Sequence, residues 1–218
     1  MKKRLALLLF ALVMSGCSDN SSIEADGNYV EGVHYKALAT PVSNQSQKVS
    51  VMEFFAYSCP HCELFEKPLH HWQQNIPEGV ELVQIPAVWN EPMKLYAKVF
   101  YIGQGMQQKD KVHAGLFPEI MALRKVPSLE QQQAKLGEFL SLYGLSRAEF
   151  SQKISSPEVE RKLQNAMELM SQAKIEGTPS IVVNGRYLVL NKSAKSAEQV
   201  MDIANYLVSL EKARLAAQ

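Results

Sequence analysis

Short apolar runs alternate along this chain with segments whose apolar residues recur at helical spacing. Residues 49–57 (VSVMEFFAY) are β-branched, aromatic and otherwise mostly apolar with one charge, which predicts a buried strand. Val80 to Pro86 forms a second apolar run after a Pro-Glu-Gly turn. Ser180 to Val183 and Arg186 to Leu190 flank Asn184-Gly185, a dipeptide typical of tight hairpins. The pattern therefore predicts strands towards both ends of the chain.

The remaining segments predict helices. Ser58 is the predicted N-cap of a first helix, which carries apolar residues at helical spacing through Leu69. Residues 90–156 predict a block of short helices, and a longer helix opens at Ser156 and runs through about Lys174. Ser196 to Ala213 predicts the last helix. The order is strands and a helix, a block of helices, then a helix, a hairpin and a helix.

Composition limits the chemistry only loosely. The 218 residues carry a formal net charge of +1, and no basic patch argues for nucleic acid as a partner. The apolar content of 46% is ample for a core. No apolar run of the chain is long enough for a membrane span.

The first segment has the form of an export signal. Three basic residues precede an apolar run from Leu5 to Met14, which is too short to span a bilayer, and a Ser-Gly-Cys sequence follows. It resembles a bacterial lipoprotein signal over residues 1–16, although Met14 stands where leucine is usual. The resemblance implies a periplasmic protein anchored in a membrane through a lipid on Cys17, with 17–30 as a flexible tether. The alternative is an ordinary cleaved signal with Cys17 left free or removed.

Cys59-Pro60-His61-Cys62 carries the candidate chemistry. Cys59 lies where unpaired N–H groups and the positive end of a helix dipole favour a thiolate, and Cys62 lies one turn deeper. A helix terminus contributes roughly 0.3–2 kcal/mol, whereas lowering a thiol pKa by about three units takes roughly 4 kcal/mol. His61, as a donor or a nearby positive charge, is the candidate for the remainder. A stabilised thiolate stabilises the reduced form, so an oxidising Cys59–Cys62 disulfide is predicted.

The element order and three motifs resemble the DsbA family of periplasmic thiol oxidases, a thioredoxin fold interrupted by a helical domain. The motifs are EFFAYSCPHCELFE (Glu53 to Glu66), PEGV (Pro77 to Val80) and EGTPSIVVNGRY (Glu176 to Tyr187). The resemblance implies an α/β, thioredoxin-like fold with an inserted all-helical domain. Its implied boundaries are 31–89 for the first thioredoxin-like part, 90–156 for the helical insertion and 157–218 for the second part.

The resemblance also implies catalytic roles within the Cys-Pro-His-Cys motif. Cys59 corresponds to the solvent-facing cysteine that a substrate attacks, and Cys62 corresponds to its buried disulfide partner. His61 corresponds to the residue that stabilises the thiolate, and Pro60 completes the motif.

Four further positions follow from the resemblance. Pro179 corresponds to a cis-proline facing the disulfide, and a cis bond before proline costs only about 0.5–1 kcal/mol. The cis bond would present the Thr178 backbone to an unfolded substrate for main-chain hydrogen bonding. The Thr178 hydroxyl would adjust the reactivity of the disulfide. Glu53 matches a buried acid that would relay protons to Cys62. Gln84 stands where the family's accompanying lysine is expected, which puts the charge pair in doubt.

The resemblance also implies binding partners, and other functions are considered beside oxidation. The partners are unfolded or reduced exported proteins and a DsbB-like, quinone-linked membrane oxidase, with the redox-active disulfide in place of any cofactor. An isomerase or reductase of the same fold is one alternative. A metal-binding module is another, but no second ligand pair accompanies Cys59, His61 and Cys62, so no metal is expected. A redox-inert peptide-binding role would not explain the paired thiols. Among the other histidines, His113 stands alone in the sequence and receives no role.

Overall fold

The computed structural model describes residues 29–42 and 47–218. The predicted signal at 1–16 and the lipidation site Cys17 lie outside the described residues, as does most of the predicted tether. In chain order the elements are β1 (Tyr35–Ala37), β2 (Val49–Phe55), α1 (Pro60–Gln74), β3 (Val80–Pro86), α2 (Glu91–Gln104), α3 (Lys109–Leu123), α4 (Leu129–Ser141), α5 (Arg147–Ile154), α6 (Pro157–Gln172), β4 (Ser180–Val183), β5 (Tyr187–Val189), a 3-10 turn (Asn191–Ser193) and α7 (Ala197–Ala216). The α/β fold class predicted from the sequence is confirmed.

The five strands form one mixed sheet in the order β1-β5-β4-β2-β3. Strand β2 lies in its interior, parallel to β3 and antiparallel to β4. All seven residues of β2 are buried, as expected for an apolar strand covered on both faces. Its register places Glu53 opposite Gln84 of β3 and Ile181 of β4. The end of β2 therefore leads directly into the Cys-Pro-His-Cys segment beside the start of β4.

Alternate residues of β2 serve two different cores. Val51 faces the core formed with α1 and α7, whereas Met52 and Phe54 face the core that includes residues of α6. A third core lies within helices α2–α5 and extends to Cys62, whose side chain is fully buried there. The helical segment thus covers the inner thiol. None of the helices among the described residues is both long and apolar enough to cross a bilayer.

Several local expectations need correction. Helix α1 begins at Pro60 with Cys59 as its N-cap, so the predicted Ser58 cap is wrong. Proline at the first helical position has its φ angle already set for a helix, which places the cap at the residue before it. Strand β1 was not predicted, because three residues with one buried position give too weak a pattern. Helix α6 does open at Ser156 as expected, and Ser128, Ser146 and Ser156 each accept the N–H three residues on as caps of α4, α5 and α6.

The β4–β5 hairpin is held in place from two sides. Asn184 and Gly185 have φ angles of 47° and 61°, the left-handed conformation that such a two-residue turn requires. The Asn184 amide donates to Glu211 of α7 over 2.7 Å. The Val42 N–H donates to the carbonyl of Gly185 over 2.8 Å, and a Cβ on Gly185 would lie 1.7 Å from the Val42 carbonyl oxygen. These contacts hold the hairpin in place. They therefore also hold β4, which directly follows Thr178 and Pro179.

Substituting Gly185 tests this close approach. Gly79 also has a positive φ, of 72°, but no atom lies within 4 Å of a Cβ built there. Gly79→Ala should therefore lower the free energy of unfolding by about 1–2 kcal/mol through backbone strain alone. Gly185→Ala should lower it clearly further, because the added methyl group meets backbone. Urea unfolding of both variants measures the difference, and equal losses would contradict the packing described for the hairpin.

Candidate active site

The first turn of α1 places the two thiols in different environments. Cys59 is half-buried and adopts an extended conformation, with φ −107° and ψ 111°, immediately before the helix. Its carbonyl accepts the Cys62 N–H over 3.0 Å. The Cys62 side chain is fully buried, and its sulfur accepts the Ala56 N–H over 3.5 Å. Both are free thiols in the structure. Only Cys59 of this pair is open to attack from solvent.

The surroundings of Cys59 favour its thiolate. A hydrogen bond from the Cys62 side chain is the largest influence, and it lowers the pKa of Cys59. Partial burial opposes the shift, while the Thr178 side chain and the backbone N–H groups of Cys62 and His61 reinforce it. Together they lower the pKa of Cys59 to about 5. Cys59 is therefore largely ionised at neutral pH, as the motif's position predicts.

Cys62 has the opposite tendency. Its hydrogen bond with Cys59 and its burial raise the pKa of Cys62 far above the ordinary value for a thiol. The same hydrogen bond thus lowers one pKa and raises the other, because Cys62 must keep its proton in order to donate it. In the reduced protein the pair consists of an exposed thiolate and a buried thiol. This asymmetry assigns different chemistry to each sulfur.

Thr178 and Pro179 lie opposite the thiols, and their peptide bond is cis. The Cys59 thiol, when protonated, donates to the Thr178 carbonyl over 3.3 Å. The Pro179 carbonyl accepts the Asn191 side-chain amide over 2.6 Å, which anchors the loop from the far side. The antiparallel pairing of β2 with β4 brings these residues to Cys59 across 119 positions of sequence.

A shallow groove runs along one side of Cys59. It has a volume of about 260 Å³ and is lined in part by His61, Leu64, Pro179 and Asn191. Leu64 is 73% exposed at the edge of this groove. The groove offers a mixed polar and apolar surface next to His61 and Pro179, which neighbour the two thiols.

His61 and Pro60 lie on the exposed side of the motif. The contribution of His61 to the Cys59 pKa comes through its backbone N–H. A role for its imidazole stays a prediction. Pro60 occupies the first helical position, where its missing N–H costs no hydrogen bond.

Glu53 lies fully buried in the sheet below the motif. One of its carboxyl oxygens accepts the Gln84 side-chain amide over 2.9 Å, and the other has no hydrogen-bond partner. Burial, with a further contribution from the nearby Glu66 carboxylate, raises the pKa of Glu53 to about 8. Gln84, which stands where a lysine was expected beside Glu53, also lies 3.3 Å from a Glu66 oxygen, and it brings no charge. Proton relay from Glu53 to Cys62 stays a prediction.

Sequence analysis missed three residues that join this region. Tyr57, Glu66 and His113 form a chain of contacts with Gln84, and the view of His113 as an isolated residue is wrong. Glu66 could have been found, because it lies one helical turn after Cys62 and so shares its side of α1. His113 comes from α3, and nothing in the local sequence indicates that α3 packs over the redox motif.

A metal site receives no support from the described part of the chain. Within residues 29–42 and 47–218, no three side chains of histidine, cysteine, aspartate or glutamate are arranged as ligands of one ion. The two thiols and His61 form no such group.

Known proteins similar to this chain were found by family model, by sequence and by structure. The family model described as Thioredoxin matches residues 42–203. The thiol:disulfide interchange protein DsbA of Pseudomonas aeruginosa is 28% identical over 208 residues, covering 95% of this chain and 97% of the relative. That of Bordetella pertussis is 36% identical over 146 residues, covering 67% and 68%. The crystal structure of oxidoreductase DsbA from Xylella fastidiosa has a TM-score of 0.75 at 30% identity, covering 85% of this chain and 98% of that chain.

The hydrogen bond between the two sulfurs can be tested by substitution at Cys62. Hydrogen bonds to charged groups contribute about 1.5–3 kcal/mol, so Cys62→Ala should raise the pKa of Cys59 by about one to two units. Cys62→Ser retains a donor and should raise it less. The ultraviolet absorbance of the thiolate, followed against pH, reports the ionisation. A Cys59 titration unchanged in Cys62→Ala would remove Cys62 as the main stabilising donor.

Proposed function

Because the chain belongs to the DsbA family of thiol:disulfide interchange proteins, within the thioredoxin fold, we propose that it oxidises exported proteins by donating its Cys59–Cys62 disulfide. The observation that carries this proposal is the asymmetry of the thiols, with the pKa of Cys59 lowered to about 5 and that of Cys62 raised. A protein that stabilises its dithiol form so strongly has an oxidising disulfide. The direction of electron flow is from substrate to this protein.

The exchange proceeds in two steps. A substrate thiolate attacks the Cys59 sulfur, the Cys59–Cys62 bond breaks, and its electron pair remains on Cys62, which then takes a proton. A second substrate thiolate attacks the substrate sulfur of the mixed disulfide and expels Cys59 as a thiolate. The low pKa of Cys59 makes it a good leaving group in this second step. The products are a substrate disulfide and the reduced protein.

Substrate recognition uses surfaces that do not demand one sequence. The Thr178 backbone beside Cys59 would pair with an extended substrate segment through main-chain hydrogen bonds. Leu64 and the groove beside it would take an apolar side chain of the same segment. Unfolded or reduced proteins expose both extended backbone and apolar side chains, which makes them suitable substrates.

Turnover requires a partner that restores the disulfide. We propose a DsbB-like, quinone-linked membrane oxidase, since the reduced protein presents Cys59 as a thiolate able to attack a partner's disulfide. The redox-active disulfide is the only redox group that this cycle uses on the protein, so no cofactor is required. We place the protein in the periplasm, where disulfides persist.

The function is tested by measuring the reduction potential and trapping the intermediate. Equilibration with glutathione should give a strongly oxidising potential, and the oxidised protein should oxidise a reduced, unfolded substrate. With a disulfide such as oxidised glutathione supplied, Cys62→Ser should accumulate mixed disulfides on Cys59, because the Cys62 thiol that would attack and open them is missing. Cys59→Ser should form none and serves as the control. A low, thioredoxin-like potential would instead assign the protein to the reductases or isomerases.

The proposed lipid anchor has its own test. Cys17→Ser should move the protein from the membrane fraction to the soluble fraction, because a lipid on Cys17 would be its attachment to the bilayer. Fractionation of cells followed by immunoblotting measures the distribution, and Ser18→Ala is a matched control that leaves Cys17 in place. Retention of Cys17→Ser in membranes would contradict anchoring at this residue.

A further inference from the structure

A cluster of polar side chains connects the redox helix to the helical insertion. We call Glu53, Tyr57, Glu66, Gln84 and His113 the acid–histidine cluster. The Gln84 amide lies 2.9 Å from a Glu53 oxygen and 3.3 Å from a Glu66 oxygen. The other Glu66 oxygen lies 3.3 Å from Nε2 of His113, whose Nδ1 lies 2.6 Å from the Tyr57 hydroxyl. Contacts therefore run without a break from the buried acid in β2 to α3.

The donors and acceptors of the cluster can be assigned. Burial and the neighbouring carboxylates raise the pKa of Tyr57 well above its usual value, so its hydroxyl keeps its proton. With a neutral imidazole, that hydroxyl donates to Nδ1 of His113, and the ring hydrogen lies on Nε2. With a charged imidazole, Nδ1 donates to the Tyr57 oxygen instead. On the other side of the ring, Nε2 lies 3.3 Å from a Glu66 oxygen and 3.3 Å from the Gln84 side-chain nitrogen.

Aromatic rings hold His113 on its other sides. The ring centroids of Phe55, Tyr57, Phe100 and Phe117 lie 5.3, 5.3, 5.7 and 5.4 Å from that of the imidazole. Cations are attracted to aromatic faces within about 6 Å. The His113 side chain is 9% exposed, whereas that of Glu66 is 27% exposed, which gives the cluster access to solvent through the acid.

The acidic, neutral and histidine groups of the cluster come from the four elements packed around it. Strand β2 brings Glu53, and Tyr57 follows it. Helix α1 brings Glu66, strand β3 brings the neutral Gln84, and helix α3 brings His113. Two carboxyl groups joined by one uncharged amide cannot both ionise easily, since like charges at short range in a buried site repel. His113 is in ion-pair distance of Glu66 and so can offset one of the two charges.

We propose that His113 is a positioning residue for thiol–disulfide exchange, which controls through Glu66 whether the Glu53 carboxyl holds the proton that Cys62 needs. This inference rests on the proposed function, because it requires a reaction that releases Cys62. The proton moves from the Glu53 carboxyl to the Cys62 sulfur when the disulfide is opened. His113, at ion-pair distance from Glu66, then faces the pair of carboxylates, and recharging returns the proton to Glu53.

The backbone supports this route. Glu53 lies three residues before Ala56, whose N–H contacts the Cys62 sulfur, and both Glu53 and Cys62 are fully buried. Water therefore has poor access to the leaving sulfur, and an internal acid is needed. Cys62 cannot remain a thiolate, because its pKa is raised by its hydrogen bond with Cys59 and by burial.

The test follows the Glu53 carboxyl in the reduced protein by carbon-13 NMR titration, with Glu53→Gln to identify its signal. The wild-type midpoint should lie near the pKa of about 8. His113→Gln should raise it by about half a unit to one unit, because the charge on Glu66 loses its partner. Gln84→Lys, which adds a fixed cation between the acids, should lower it. A plot of the reduction potential against pH should change slope near the Glu53 midpoint. In each variant the pH of that change should move with the midpoint.

His71→Gln is the matched control, since His71 is an exposed histidine on α1 outside the cluster, and it should leave the midpoint unchanged. An unchanged midpoint and potential profile in His113→Gln would overturn the inference. Should that variant not fold, His113→Phe, which suits the surrounding aromatic rings, decides the question in the same way. A wild-type protein with a low potential would instead overturn the proposed function, whatever the position of the Glu53 midpoint.

Discussion

The redox site depends on the stabilisation of a negative charge on one sulfur atom, that of Cys59. The donors around Cys59 come from the first turn of α1 and from Thr178, two parts of the chain that meet only because β2 and β4 pair. The hairpin and α7 fix β4, and the cores on both faces of the sheet fix β2. Small errors in this pairing would move Thr178 away from the sulfur and weaken the stabilisation. The fold is therefore the means by which an ordinary thiol becomes a leaving group.

The helical insertion contributes to the chemistry by excluding water. Its core extends to Cys62, so the inner sulfur lies in an apolar environment that disfavours the thiolate. The insertion also brings His113 over the carboxyl groups of α1 and β2. One part of the chain thus supplies the stabilised thiolate, and another part supplies the conditions under which its partner stays protonated.

Local signals in the sequence predicted most of the fold and the sulfur site. The apolar run of β2, the Asn184-Gly185 turn and the Cys-Pro-His-Cys motif each have a local physical meaning, and the structure places them as expected. Ser58 failed as a cap because Pro60 fixed the helix start one residue later. The role of His113 could not be predicted, because it arises from the packing of α3 against α1, and no residue near His113 in the sequence encodes that contact.

The separation of Cys59 from Thr178 by 119 positions has a consequence for biosynthesis. A chain synthesised from its N-terminus contains both cysteines well before the segment around Thr178 has been made. During that interval Cys59 lacks the contacts that lower its pKa, and the pair behaves like two ordinary thiols of an unfolded protein. The pair acquires its unequal reactivity only when β4 has joined the sheet beside β2.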